Sequence, residues 1–242
     1  MARRSSRWRR GATWLAALAA SIAALLAWSG YFNADAISIY PAGTRHGSNL
    51  AAVYLSSDVG LRLGAGQPTI AALTSRGIPV VAINSLTFFR RHRQPAEIAA
   101  LLDRAIARAQ ALAPGRHVVV IGHSLGADAA QVGLAGLSPA RREAVRGAVL
   151  IVPTRALYFE VSLREMLEWG RPDEAAMDTL RDLTWLPLTC ISGRDEAASP
   201  CGEFGGVRVR HVVLPGGHLL RFDNAAINAA VVQAIGVSIS LR

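Results

Sequence analysis

The sequence predicts an α/β fold: a mostly parallel sheet with helices on both faces. Three observations carry that reading. Ala51–Ser56, Ile78–Ile83, His117–Gly122 and Ala148–Val152 are short, nearly continuous apolar runs, the pattern of strands buried on both faces. Helical stretches alternate with them, which is the order of a parallel sheet built from crossover units. The helices end on turn chemistry, Gly77 after Pro68–Arg76 and Pro114-Gly115 after Pro95–Ala113. At 242 residues, 51% of them hydrophobic, the chain is long enough for one sizeable core.

Taken in order, Ala36–Tyr40 and Ala51–Ser56 read as strands separated by Pro41-Ala42-Gly43 and the turn-forming His46–Asn49. In Pro95–Ala113, Ile98, Leu101, Leu102, Ala105, Ile106 and Ala109 share one helical face, with Arg and Asp opposite. Ala127–Leu137 is a helix of small residues, suited to close packing on a sheet. Ser162–Asp182 reads as a more charged helix, placed where a lid could be inserted. Leu188–Ser192 and Val207–Leu214 are the last strands and Ala225–Ile235 the last helix.

Residues 1–36 form a targeting segment, and 37–242 the folded domain. Arg3, Arg4, Arg7, Arg9 and Arg10 precede an uncharged, Ala- and Leu-rich stretch from Gly11 to Asn33. That stretch is long enough for a bilayer core, which takes about 20 apolar residues. Arginines before it and few charges after it place the rest of the chain outside the cytoplasm. An uncleaved inner-membrane anchor and a removed signal, with Ala34-Asp35-Ala36 as a cleavage site, both fit; either exports the domain to the periplasm.

Beyond Ala36 the chain has 21 Arg and 16 acidic residues, spread rather than massed. Arg90, Arg91 and Arg93 make the one tight basic run, able to meet phosphates or anionic lipid heads. Nucleic-acid binding has no support, since no aromatic-interleaved basic motif and no zinc spacing accompany it. Cys190 and Cys201 are the two cysteines, and in an exported protein such a pair is expected as a disulfide. No metal site is expected from two thiols without a nearby His, and no cofactor is called for. Oligomeric state is not encoded in any motif.

Between strand His117–Gly122 and helix Ala127–Leu137 lies Gly122-His123-Ser124-Leu125-Gly126, a Gly-x-Ser-x-Gly motif. A serine on a tight strand-to-helix turn projects its hydroxyl above the sheet edge, and the next N–H faces a developing oxyanion. The motif and its setting specify the α/β-hydrolase fold, with Ser124 as nucleophile. A base is required, and in that fold the acid and then the His follow the Ser. Leu214-Pro215-Gly216-Gly217-His218 supplies the His after the last strand. The acid lies in Ser192-Gly193-Arg194-Asp195-Glu196; the usual spacing of about three residues past the glycine selects Glu196, with its neighbour Asp195 as the alternative. Leu125 offers one oxyanion N–H, and Ser57 or Asp58, in the loop Leu55–Gly60, offers the second.

These residues resemble the bacterial virulence protein VirJ/AcvB family. The matching stretches are Tyr54–Gly60, Gly77–Leu86, Gly122–Asp128, Cys190–Cys201 around Gly-Arg-Asp-Glu, and Leu214–His218. The chain departs from the family at Ser56–Leu61, where the family has Ser-Gly-Asp-Gly-Gly-Trp. It departs again at His123 and Leu125, which replace Tyr and Phe, and at Asn84, which replaces Asp. The resemblance implies a periplasmic serine esterase that hydrolyses aminoacyl-phosphatidylglycerol, a substrate held in the membrane. Such an ester carries an ammonium, for which Asp58 or Asp128 is the candidate carboxylate. A general periplasmic esterase or thioesterase, and a non-catalytic binding protein of an envelope or secretion complex, are the other two readings.

Overall fold

A computed structural model describes the backbone of residues 2–43, 48–161, 171–204 and 209–240, with side chains from Thr13 to Gly236 within those ranges. The strands are β1 (Ile37–Tyr40), β2 (Leu50–Leu55), β3 (Val80–Ile83), β4 (His117–His123), β5 (Val145–Ile151), β6 (Ala156–Leu157), β7 (Glu174–Ala175), β8 (Leu188–Gly193) and β9 (Val209–Leu214). Seven form one sheet in the order β1-β3-β2-β4-β5-β8-β9. Only β1 runs antiparallel to its neighbour; the other five pairings are parallel. The small ribbon β6–β7 stands apart.

The apolar runs are continuous because alternate residues of each strand enter different cores. Ala51, Val53 and Leu55 of β2 join Val118 and Val120 of β4 in one core, beneath helices α4 (Pro95–Leu112) and α5 (Leu125–Ala135). Leu50, Ala52 and Tyr54 join Val119 and Ile121 in the other, beneath α2 (Gly66–Thr74) and the C-terminal helix Asn224–Ser240. Thr69 and Asn228 bond at 2.8 Å to pin those last two helices together. Helix α4 starts on a capping box: Gln94 and Glu97 each accept from the other's backbone N–H, and Pro95 holds the first helical position. A short helix, α3 (Ser85–Phe88), fills the turn after β3.

Helix α1 (Ala2–Ser29) precedes the sheet, and Trp14, Leu15, Leu18, Ile22, Leu25 and Trp28 are all exposed on it. Among the described residues no helix is long and apolar enough to cross a membrane; the described side chains of α1 begin only at Thr13. Its C-terminal end is fixed to the turn after β3. Asn84 Nδ2 donates to the Ser29 carbonyl at 2.9 Å, and Thr87 Oγ1 to that of Gly30 at 2.8 Å. Arg90 donates to the carbonyls of Tyr31 and Asn33 at 3.0 and 3.1 Å.

One expected element is different. The reading of Ser162–Asp182 as one helix fails over its described half. Residues 171–185 form β7, a short helix Ala176–Leu180 and a 3₁₀ turn Arg181–Trp185. The cause is Pro172, which biases the preceding residue away from helix, together with Asp173. The latter's N–H donates to the Leu157 carbonyl, and its carboxylate accepts from the Phe159 N–H at 2.7 Å, drawing the chain into the ribbon. Residues 162–170, the side chains of the arginines at 3–10, part of the turn at 46–49 and the start of the strand at 207 lie outside the described residues.

Candidate active site

Parallel strands deliver their C-terminal ends to one edge of the sheet, and the loops gathered there build the site. Ser124 follows β4 with φ 52° and ψ −121°, a left-handed conformation costly for a residue with a Cβ. Its N–H donates to the Ile151 carbonyl at 2.8 Å, which holds the turn against β5. Gly126 is required by closeness: a Cβ there would lie 2.3 Å from the Leu55 carbonyl oxygen and 2.4 Å from that of Ser56. Its absence lets the start of α5 rest on the end of β2, bringing the loop Ser56–Gly60 toward Ser124.

Glu196 follows β8 and His218 follows β9. Gly193 ends β8, where a Cβ would meet the carbonyl oxygens of Gly216 and Gly217 at 2.3 and 2.4 Å. The acid and histidine loops therefore touch through backbone. His218 Nδ1 lies 2.6 Å from Glu196 Oε1, and His218 Nε2 lies 2.9 Å from Ser124 Oγ. A carboxylate only accepts, so Nδ1 carries the proton and Nε2 is left to accept from the serine hydroxyl. The second oxygen of Glu196 accepts from the Gly193 N–H at 3.2 Å, which orients the carboxylate. Of the two candidate acids, Glu196 reaches His218; Asp195 is exposed and is held through its own N–H on the Gly216 carbonyl.

The electrostatics suit a general base. His218 is raised above its ordinary value, chiefly by its hydrogen bond to Glu196, against burial that pulls it down. The negative charges of Glu196, Asp128 and Asp58 raise it further. His123 is lowered to about 4 by burial and by the charge of His218, so it stands beside the nucleophile as a neutral ring. Leu125 N–H is the first amide of α5, one of the four at a helix start with no acceptor inside the helix. Opposite it, the Ser56–Gly60 loop carries Ser57 and Asp58, both half-buried. It is braced by Ser56 Oγ, which accepts from Ser85 N–H and donates to the Ser57 carbonyl, each at 3.0 Å.

Asp128 does not face the opening. Its side chain is buried at 3% exposure, and its oxygens accept from Thr154 N–H at 2.9 Å and Thr154 Oγ1 at 2.7 Å. Burial pushes its carboxyl up to about 7, against those bonds. The expectation of an ammonium contact there is corrected: a group so enclosed, with both oxygens engaged, fixes the loop after β5 instead. Thr154 was not singled out in the sequence, where it has no local signature. Cys190 and Cys201 form a disulfide that brackets the acid loop. Among the described residues no cluster of three His, Cys, Asp or Glu side chains is placed to hold a metal ion.

A family model described as bacterial virulence protein (VirJ) matches residues 49–238. The chain belongs to the VirJ family. That match takes in every element of the site just described. No curated protein matches the chain in sequence. Solved structures with the same fold include an esterase of Pyrococcus furiosus, 19% identical, covering 78% of this chain and 82% of that one, with a TM-score of 0.60. A thioesterase domain from the curacin biosynthetic pathway is 14% identical and covers 81% and 94%, with a TM-score of 0.58. A serine hydrolase from Xanthomonas campestris, described as lacking a lid, is 14% identical and covers 82% and 87%, with a TM-score of 0.54. These likenesses establish the α/β-hydrolase fold of this VirJ family member.

Proposed function

We propose that this VirJ family member is a periplasmic serine esterase that hydrolyses aminoacyl-phosphatidylglycerol at the membrane surface. The observation that carries the reading is the continuous chain Ser124 Oγ–His218 Nε2 and His218 Nδ1–Glu196, at 2.9 and 2.6 Å. Ser124 Oγ attacks the ester carbonyl while its proton passes to His218 Nε2. The tetrahedral oxyanion sits between Leu125 N–H and the N–H of Ser57 or Asp58. Collapse expels the phosphatidylglycerol hydroxyl, which takes the proton from His218. Water, activated by the same base, then releases the amino acid from Ser124. In this reading Asp58, whose negative charge is felt at His218, holds the substrate ammonium. Apolar Val59, Leu219 and Phe222 are exposed around the loops of the site, as a surface meeting lipid needs.

The test uses the full chain in detergent, with mixed micelles of alanyl- or lysyl-phosphatidylglycerol. Release of free amino acid by the wild type and not by Ser124→Ala is expected. Ser124-dependent cleavage of a p-nitrophenyl ester alone would leave an esterase of another substrate. Silence on both, from folded protein, would favour a binding protein. Asp58→Asn is expected to lose aminoacyl-ester hydrolysis while keeping the simple ester; equal loss on both would remove Asp58 from the ammonium site.

A further inference from the structure

The basic run Arg90–Arg93 plays no part in the triad, yet the fold gives it a definite place. A cleft of about 330 Å³ opens between the segment after α1 and the junction of α3 with α4. Arg90, Arg91, Arg93 and Arg104 line it, with Asp35 and Glu97 as the only acids.

Both acids are already committed. Glu97 accepts from Arg93 at 2.8 Å and from the Gln94 N–H at 3.0 Å. Asp35 accepts from Arg108, which is not part of the lining, at 3.2 Å and from the Ile37 N–H at 3.0 Å. Two of the arginines form the walls. Arg93 lies 4.3 Å from the Phe88 ring centroid and donates through Nε to the Phe88 carbonyl. Arg90 spends Nη1 on the Tyr31 and Asn33 carbonyls, and a guanidinium has five N–H donors. Arg91 and Arg104 are exposed and bring the remaining positive charge to the mouth. Gathering four guanidiniums around one concavity raises their mutual repulsion, which an anion relieves, and the guanidinium fork matches phosphate oxygens bidentately.

We propose that this cleft is a binding site for a phosphate group, presented by a phospholipid head or as the free anion. The lipid source follows from position. Ala34–Ala36, which form one wall, follow directly on Asn33, whose carbonyl accepts from Arg90 just past the end of apolar α1. If α1 lies in a bilayer, the cleft stands at the level of the phosphates. The site is separate from Ser124, goes beyond the esterase reading and does not depend on it.

The full chain with Ser124→Ala, in dodecyl maltoside, would be titrated with dihexanoylphosphatidylglycerol and, separately, with inorganic phosphate. Saturable binding is expected, weakened tenfold or more by Arg91→Ala/Arg104→Ala and unchanged by Arg76→Ala, which lies past the end of α2 and outside the lining. Tighter binding of the lipid than of phosphate assigns the site to head groups, and the reverse to a soluble anion. No saturable binding of either probe would overturn the proposal. So would binding that ignores the double substitution, which would place the probe in the esterase pocket, or equal weakening by Arg76→Ala, which would reduce it to general charge. The Ser124→Ala background separates this result from any failure of the esterase reading, since turnover plays no part in it. A circular-dichroism spectrum and thermal melt of the double variant that match those of the Ser124→Ala parent verify that it folds.

Discussion

In the proposed reaction His218 acts as a base only while neutral, so the direction of its shift sets the working pH. The Glu196 hydrogen bond holds it above 6.5. The protonated ring therefore persists to higher pH, and kcat/KM should fall as pH drops through a value above 6.5. Glu196→Gln removes the leading cause of the upward shift. The acid limb should move down, and the rate should fall by up to about 10⁴-fold through loss of the tautomer-fixing acceptor. A pH–rate profile of the two proteins checks both. Ser124→Ala should cost on the order of 10³-fold or more on any cleaved ester. The meeting of Ser124 and His218 was legible in the sequence because each sits in a short motif after a strand. For the third side chain, spacing past Gly193 favours Glu196 over the adjacent Asp195, and Glu196 is the one that lies against His218. Asp128 was misread. Its nearness to Ser124 in sequence said nothing of Thr154, twenty-six positions on, which takes up both its oxygens.

At the level of elements, the loops at the sheet edge are held by a few specific ties. Asp128 binds α5 to the loop after β5, where Val152 adopts φ 46°, a strained value for a β-branched residue. Thr154→Val keeps the shape but leaves a buried carboxyl short of a donor. It should cost about 1–3 kcal/mol in urea unfolding. The acid loop is closed by Cys190–Cys201. The double Cys→Ala variant should lose about 2–4 kcal/mol, and its esterase activity should fall more steeply with temperature than that of the wild type. The inner strands β2, β3, β4, β5 and β8 were legible because both faces are buried and the apolar runs are nearly unbroken. The segment after β6 was not. Its charged composition suited a helix, while the partners that turn Asp173 into a ribbon residue, Leu157 and Phe159, lie far back in the chain.

Across the molecule, the apolar N-terminal helix and the catalytic edge share one piece of structure. The turn after β3 bonds the end of α1 through Asn84, Thr87 and Arg90, and through Ser85 N–H it braces the loop of Ser57 and Asp58. The apolar stretch at 11–33 was legible as a unit, but its docking was not, because the contacts span more than fifty positions. Asn84→Ala/Thr87→Ala should therefore lower kcat on simple esters a few-fold as well as loosen the helix, without touching the triad. Activity assays beside thermal melts separate the two effects. The mechanical consequence is that α1 is a stalk, not a leash. With carbonyls bonded at Ser29, Gly30, Tyr31 and Asn33, there is no slack between helix and domain. Whatever grips the helix also sets the heading of the domain, and a fluorophore on the domain should report one slow rotation, with no fast independent wobble.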